Sequence, residues 1–376
     1  MRGVTIVLAN YWSLIIILPI AVVALYLVWQ ATEKQPGETP PQATGQRVLG
    51  ASIQDVWDDP PTYIDDFTNM VGTPPRIVMW YQNWEQDSRK HFDPTKMDAV
   101  VDRGAMPMVT WAPRDPTAGT AEQPKYALKN IASGRFDDYI TQWADDARDW
   151  GNSCQVKHQR SAPCPIYLRF AHEMNGNWMP WSPGVNGNTT TDWIGAWEHV
   201  HQIFSQEKAT NVVWVWSPGA VFGTPETTTC GRDCPSLSEL YPTGTDPISG
   251  KPYVDWTALD GFNWGTSQSG SRWRTAAQLF GPSYDEITTQ VAPDKPFMIS
   301  EIGSAEQGGD KANWITNTFN TDIPNRLPRT QAVVWFSYDR TAQGETDWRV
   351  DTSRASLDAY KAVAASSAWQ GLLPSQ

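Results

Sequence analysis

Two stretches hold the residues that could do chemistry. They are Arg169-Phe170-Ala171-His172-Glu173-Met174-Asn175-Gly176-Asn177-Trp178 and Phe297-Met298-Ile299-Ser300-Glu301-Ile302-Gly303, and in each a largely apolar run ends on a glutamate. A carboxylate at the end of a buried strand costs free energy unless it works or is paired. Two of them beside clustered tryptophans suit glycoside hydrolysis, in which one carboxylic acid protonates the leaving oxygen and a second, ionised, attacks the anomeric carbon. Retention of configuration needs the pair about 5 to 5.5 Å apart, and inversion about 6.5 to 9.5 Å.

Rival chemistries lack their parts. His172-Glu173 does not extend to a zinc-protease helix, because Gly176 occupies the position of the second histidine in H-E-x-x-H. The chain has five histidines, and His199 and His201 fall on a predicted helix, so a multi-histidine metal centre is not expected. No G-x-S-x-G elbow is present. No metal and no cofactor are expected.

The composition narrows the ligand. With a net charge of −12, a pI near 4.9 and no basic run, the chain would repel nucleic acid, so a neutral or weakly charged polysaccharide is the expected partner. Its 21 tryptophans are more than packing requires, and indole faces stack on the apolar faces of sugar rings. A glycan-binding barrel without turnover would use the same tryptophans, and the two glutamates are what separate it from a hydrolase. A structural envelope protein would leave both buried carboxylates unexplained.

These groups must be held by a scaffold. Strands are predicted over Arg47 to Ile53, Arg76 to Trp84, Met106 to Pro113, Ile166 to Glu173, Asn211 to Ser217, Val254 to Trp264, Pro296 to Glu301 and Ala332 to Tyr338. Helical patterns such as Phe136 to Trp150, Thr191 to Gln206 and Lys311 to Phe319 lie between them. Eight strands alternating with helices predict a (β/α)8 TIM barrel, and the lack of a Gly-rich turn after the first strand argues against a doubly wound sheet. Active sites of this fold lie at the C-terminal strand ends, where both glutamates fall, on the fourth and seventh strands. Strand alternation puts Arg169 and Glu173 on one face, so Arg169 either points into the site below the acid or forms a buried ion pair. Asp260, Glu306 and Asp339 also lie near strand ends and are expected to be caps or supporting acceptors.

At the amino terminus, residues 1–10 form a short leading segment, 11–29 an uncharged apolar stretch long enough to span a bilayer, and 30–46 a polar linker containing proline. The catalytic barrel is assigned to 47–376. No small-x-small cleavage site stands near Ala24 or Ala31, so a retained membrane anchor is expected ahead of a cleaved signal peptide, which would make the protein secreted. The catalytic part would then lie outside the cytoplasm, as a monomer. Four cysteines fit that compartment as two local disulfides, Cys154 with Cys164 and Cys230 with Cys234. Their spacings lack the x2 knuckles of a zinc site.

The run His172-Glu173-Met174-Asn175-Gly176-Asn177-Trp178, with Arg169 before it and Trp181 after it, resembles the acid/base motif of glycoside hydrolase family 26. Ser300-Glu301-Ile302-Gly303 is similar to that family's nucleophile motif, and the likeness runs from about Arg47 to Ala365. The family holds endo-β-1,4-mannanases with some β-1,3-xylanases and mixed-linkage β-glucanases. The resemblance implies a retaining hydrolase of internal β-linkages, with β-1,4-mannan the leading substrate and β-1,3-xylan, mixed-linkage glucan or a bacterial exopolysaccharide as alternatives. It implies Glu173 as general acid/base, Glu301 as nucleophile, and His172 orienting the machinery. Trp178 would shape the sugar site, and Trp335 would be a platform under the sugar. Arg169, Trp181 and Trp264 complete the expected substrate-binding set. Two departures stand out. Family members often carry a tyrosine near the end of the sixth strand that hydrogen-bonds the nucleophile, where this chain reads Asp260-Gly261-Phe262-Asn263-Trp264-Gly265. Gly219 stands where a polar residue is expected.

Overall fold

The computed structural model describes residues 45–85, 90–221 and 235–373. Eight parallel strands close into a barrel in sequence order: β1 Val48–Ile53, β2 Ile77–Asn83, β3 Met106–Ala112, β4 Ile166–Phe170, β5 Val212–Trp216, β6 Trp256–Asn263, β7 Phe297–Ser304 and β8 Thr330–Ser337. Closure is made by β1 against β8, in register from Val48↔Ala332 to Ile53↔Ser337.

Parallel strands covered on both faces read as continuous apolar runs, and every residue of β1, β4, β5 and β7 is buried. Alternate side chains divide between two cores. Met79, Met108, Tyr167, Val213 and Met298 fill the barrel interior. Their neighbours, among them Leu168, Phe170, Ile299 and Trp335, pack outward.

The outer layer is formed by α1 Pro60–Val71, α2 Pro94–Val101, α3 Asp137–Lys157, α4 Thr190–Gln206, α5 Ala276–Glu286, α6 Lys311–Asn317 and α7 Arg354–Ala365. Their starts are chemically marked. Asp93, Thr189, Thr275, Asp310 and Ser353 each accept a backbone N–H of the first turn, with reciprocal capping boxes at Thr189 and Thr275. Among the described residues between β5 and β6, the only helical piece is a single turn at Ser238–Leu240.

The fourth strand is shorter than the sequence predicts. It stops at Phe170 because Ala171 (φ 48°) and Glu173 (φ 52°) adopt left-handed backbone, which cannot continue a ladder. β7 instead runs three residues past Glu301, to Ser304. Cys154 and Cys164 form a disulfide joining the end of α3 to the entry of β4, with Cα atoms 5.7 Å apart. Cys230 and Cys234 lie outside the described residues, as do residues 11–29. Among the described residues no helix is long and apolar enough to cross a membrane.

Candidate active site

The left-handed turn after β4 aims Glu173. Its amide donates to the Ser217 carbonyl at 2.7 Å, which ties the turn to the end of β5. Two non-glycine residues with positive φ in three positions store backbone strain, a feature that collects at working sites. The turn then folds Trp178 back over Gly176. A Cβ on Gly176 would lie 2.5 to 2.6 Å from the indole ring, so only glycine fits. The indole Nε1 donates to Glu173 Oε2 at 2.7 Å, and Trp178 remains 43% exposed, with ring surface to offer a ligand.

Gly219, where a polar side chain was expected, is held by its backbone. Its N–H donates to Asn175 Oδ1 and its carbonyl accepts from Asn175 Nδ2, each at 2.8 Å. This clamp fixes the β5 rim beside Glu173.

Glu301 is placed by a bulge. β6 pairs Leu259 with Ile299 and then Asp260 with Glu301, and β8 pairs Val333 with Ile299 and then Trp335 with Ile302. Ile299 and Ile302 both face the outer core, three positions apart, so Ser300 and Glu301 both turn inward. Each finds a partner there. Ser300 Oγ donates to Asp260 Oδ1 at 2.6 Å, and Arg169 Nη1 donates to Glu301 Oε1 at 2.7 Å.

Arg169 is fully buried and serves both acids. Nη1 also reaches Thr110 Oγ1 at 2.8 Å, while Nη2 donates to Ser217 Oγ at 3.1 Å and to Asp260. Of its two expected placements it takes the buried ion pair, and the partners are Glu301 and Asp260. It therefore positions a carboxylate and has no surface for a substrate. Burial works to lower its pKa, but Asp260 and Glu301 outweigh that and raise it. Burial pushes Asp260 well up, Arg169 pulls it back, and Glu301 and Glu173 push the same way as burial.

Glu173 carries the decisive shift. Protein surrounds its carboxyl although one edge reaches the cleft. Burial first and Glu301 second raise its pKa to about 7, against the Trp178 bond and the charge of Arg169. The site thus joins a carboxyl that keeps its proton up to neutrality with a second one bonded to a guanidinium, an arrangement able to deliver a proton and present an anion.

The remaining expected residues divide. His172 is buried, packs on Tyr81 and Trp181, and leaves Nδ1 without a hydrogen bond. Burial, then Arg169 and Arg114, hold it neutral. Trp181 is fully buried beneath it, donating to the His172 carbonyl at 2.7 Å, so it supports the turn and does not face a ligand. Trp264 is half-buried at the rim against Trp348.

Trp335 does not fit the expected platform. It faces outward, fully buried against Trp314, Phe319 and Tyr360 of the helical layer. Its neighbour Phe336 faces the mouth, in a cluster with Trp348, Tyr81, Phe262, Trp264 and Tyr338.

Sequence reasoning missed Tyr81 and Arg114. The Tyr81 phenol hydrogen-bonds Glu301, and burial followed by that carboxylate raises its pKa. Phe262, at the sixth strand, has no hydroxyl to offer. The signal available for Tyr81 was its place near the end of β2; Arg114 had none beyond lying just past β3. Asp260 accepts from Arg169, Ser217 and Ser300, and Glu306 and Asp339 accept from nearby hydroxyls, as expected of supporting carboxylates.

Comparison with known proteins supplies the lineage. Endoglucanase H of Acetivibrio thermocellus is 34% identical over 301 residues, covering 79% of this chain and 28% of that protein. The mannan endo-1,4-beta-mannosidase A and B of Caldalkalibacillus mannanilyticus is 28% identical over 176 residues, 44% of this chain and 26% of that one. This chain therefore spans about a quarter of the length of these two curated relatives. Among solved structures, a GH26 beta-mannanase from Bacteroides ovatus superposes with a TM-score of 0.57 at 16% identity, covering 87% of this chain and 90% of that one. The YdhT protein from Bacillus subtilis gives 0.55 at 18%, covering 90% of each. At such identities the likeness speaks for the barrel alone. The family model described as glycosyl hydrolase family 26 matches residues 83–322, close to two thirds of the sequence and including both glutamates, and the chain belongs to that family.

Proposed function

We propose that this protein is a retaining glycoside hydrolase that cleaves internal β-linkages of a mannan or glucan backbone, with β-1,4-mannan the first candidate. Glu173 acts as general acid and then general base, and Glu301 as nucleophile. The observation that carries this reading is the asymmetry of the pair: Glu173 holds its proton to about pH 7 while Glu301 accepts a hydrogen bond from Arg169. In the first step Glu301 attacks the anomeric carbon as Glu173 protonates the departing oxygen. In the second, Glu173, now ionised, takes a proton from the water that releases the sugar. Trp178 and the aromatic rim offer stacking surfaces. The names of the relatives support both backbones, since one is an endoglucanase and another a mannosidase.

Residues 11–29 would anchor the enzyme in the membrane with the barrel outside the cytoplasm, acting as a monomer. Product analysis tests the hydrolase reading. The full chain is incubated with β-mannan, β-1,3-xylan, mixed-linkage glucan and a bacterial exopolysaccharide, beside Glu301→Ala. Oligosaccharides released from one polymer and absent with the variant are expected. Binding to all without release, unchanged by the substitution, would make it a glycan-binding barrel.

A further inference from the structure

Arg114 stands two residues beyond β3, at the barrel end that holds both glutamates. Its guanidinium is half-buried and held at one point, Nε donating to Asn83 Oδ1 at 2.9 Å. Among the described residues the two Nη groups have no hydrogen-bond partner, and they are not among the sealed-off polar atoms. No carboxylate among the described residues pairs with it, although the chain carries 41 acidic residues. Every other arginine of the site has one: Arg169 has Asp260 and Glu301, and Arg340, on the rim after β8, has Glu345 at 3.1 Å.

A half-buried guanidinium that meets no carboxylate among the described residues keeps a desolvation cost that its single bond to Asn83 offsets only in part. Burial lowers the Arg114 pKa, the nearby Tyr81 phenol works against that, and Arg340 adds a smaller like-charge repulsion in the same direction as burial. The field of Arg114 also reaches His172 next to Glu173, so it acts at the reacting end of the cleft. The free Nη fork is the half of a bidentate pair that matches a carboxylate.

We propose that Arg114 forms a subsite for a carboxylate carried by the glycan, so that the substrate is a β-linked polymer in which some sugars are uronates or bear an acidic substituent. This rests on the hydrolase reading above and specifies its substrate class. A sparse carboxylate also suits the molecule as a whole, because the net charge of −12 disfavours a dense polyanion while one local cation accepts a single acid.

The test uses the full chain and three forms each of β-1,4-mannan and mixed-linkage β-glucan: neutral, with part of the C6 hydroxyls oxidised to carboxylates, and with carboxymethyl ethers. Hydrolysis and oligosaccharide binding are both measured at low and high salt. The expected result is a preference of about tenfold or more for an acid-bearing form at low salt, the size of a charge-assisted hydrogen bond. The preference shrinks with salt, falls to near one in Arg114→Gln and is partly kept in Arg114→Lys. The favoured form tells a ring carboxylate from a substituent. No preference in the native chain, or one that Arg114→Gln leaves unchanged while its melting midpoint is native, overturns the proposal. Salt-sensitive binding of acid-bearing oligosaccharides that needs Arg114, with no polymer cleaved, would keep the subsite and remove the hydrolase reading.

Discussion

In the proposed mechanism Glu173 works as an acid only while it keeps its proton. With a pKa raised to about 7 it is protonated below that value and ionised above it, so kcat/KM on natural polymers should fall as pH rises through about 7. A pH profile with no alkaline limb in that range would remove Glu173 from the role. Glu173→Gln should lose about 10²- to 10⁴-fold on polymers, yet keep its first step on aryl glycosides whose leaving group needs no proton. Burst kinetics separate the two steps, and an equal loss on both substrates would contradict the assignment. Arg169 predicts a stability effect. Arg169→Met leaves Glu301 and Asp260 buried without their cation and should cost about 3 to 5 kcal/mol in denaturant unfolding, whereas breaking an exposed pair such as Arg354 with Asp358 should leave the unfolding midpoint nearly unchanged. The sequence offered Arg169 as either ligand contact or ion pair, and only the barrel's closure, which sets β4 within reach of β6 and β7, decides between them.

At the scale of elements, the strands were legible and their ends were not. Runs of apolar residues marked all eight strands because a parallel barrel buries both faces. Two placements then missed, for different reasons: on β4 the backbone geometry changed without a change in residue type, and on β8 the resemblance pointed to the outward-facing member of a regularly alternating pair. β4 was expected to carry Glu173 and stops three residues short, at left-handed positions occupied by alanine and glutamate, types that give no warning of positive φ. On β8, choosing Trp335 over Phe336 as the mouth-facing aromatic missed the face by one residue, which exchanges core for cleft. The bulge at Ser300 and Glu301 had no sequence mark either. Two substitutions probe these ends. Gly176→Ala must displace the Trp178 indole from its place over residue 176, and should weaken substrate binding more than it lowers the melting point. Removing the Cys154–Cys164 disulfide, which closes a short loop between α3 and β4, should cost about 3 kcal/mol, read as a lowered unfolding midpoint in Cys154→Ala with Cys164→Ala.

For the whole molecule, composition said less than the closure of the barrel. The acidic, tryptophan-rich composition led to the expectation of a sugar ligand, yet most of the described tryptophans are buried in the core and Trp178 is the exposed one, so it is the barrel, with both glutamates at one end, that defines the site. Composition could not show that one cation at that end meets no carboxylate among the described residues, because pairing is a property of the closed barrel and of rims brought together from β3 and β8. The amino-terminal segment gives a prediction at this scale. A chain lacking residues 1–44 should leave the membrane fraction and keep kcat/KM within about twofold, since the site is built wholly from the barrel. Equal membrane association with and without the segment would dismiss the anchor.

The proposed mechanism passes through a covalent glycosyl intermediate on Glu301, with Glu173 as the acid partner. Incubation with an activated 2-deoxy-2-fluoro β-glycoside slows release of that intermediate, and peptide mass mapping then locates the sugar. A single adduct on Glu301 is expected, formed also by Glu173→Gln and absent from Glu301→Ala. An adduct on Asp260 or Glu173, or products of inverted configuration with no adduct, would contradict it.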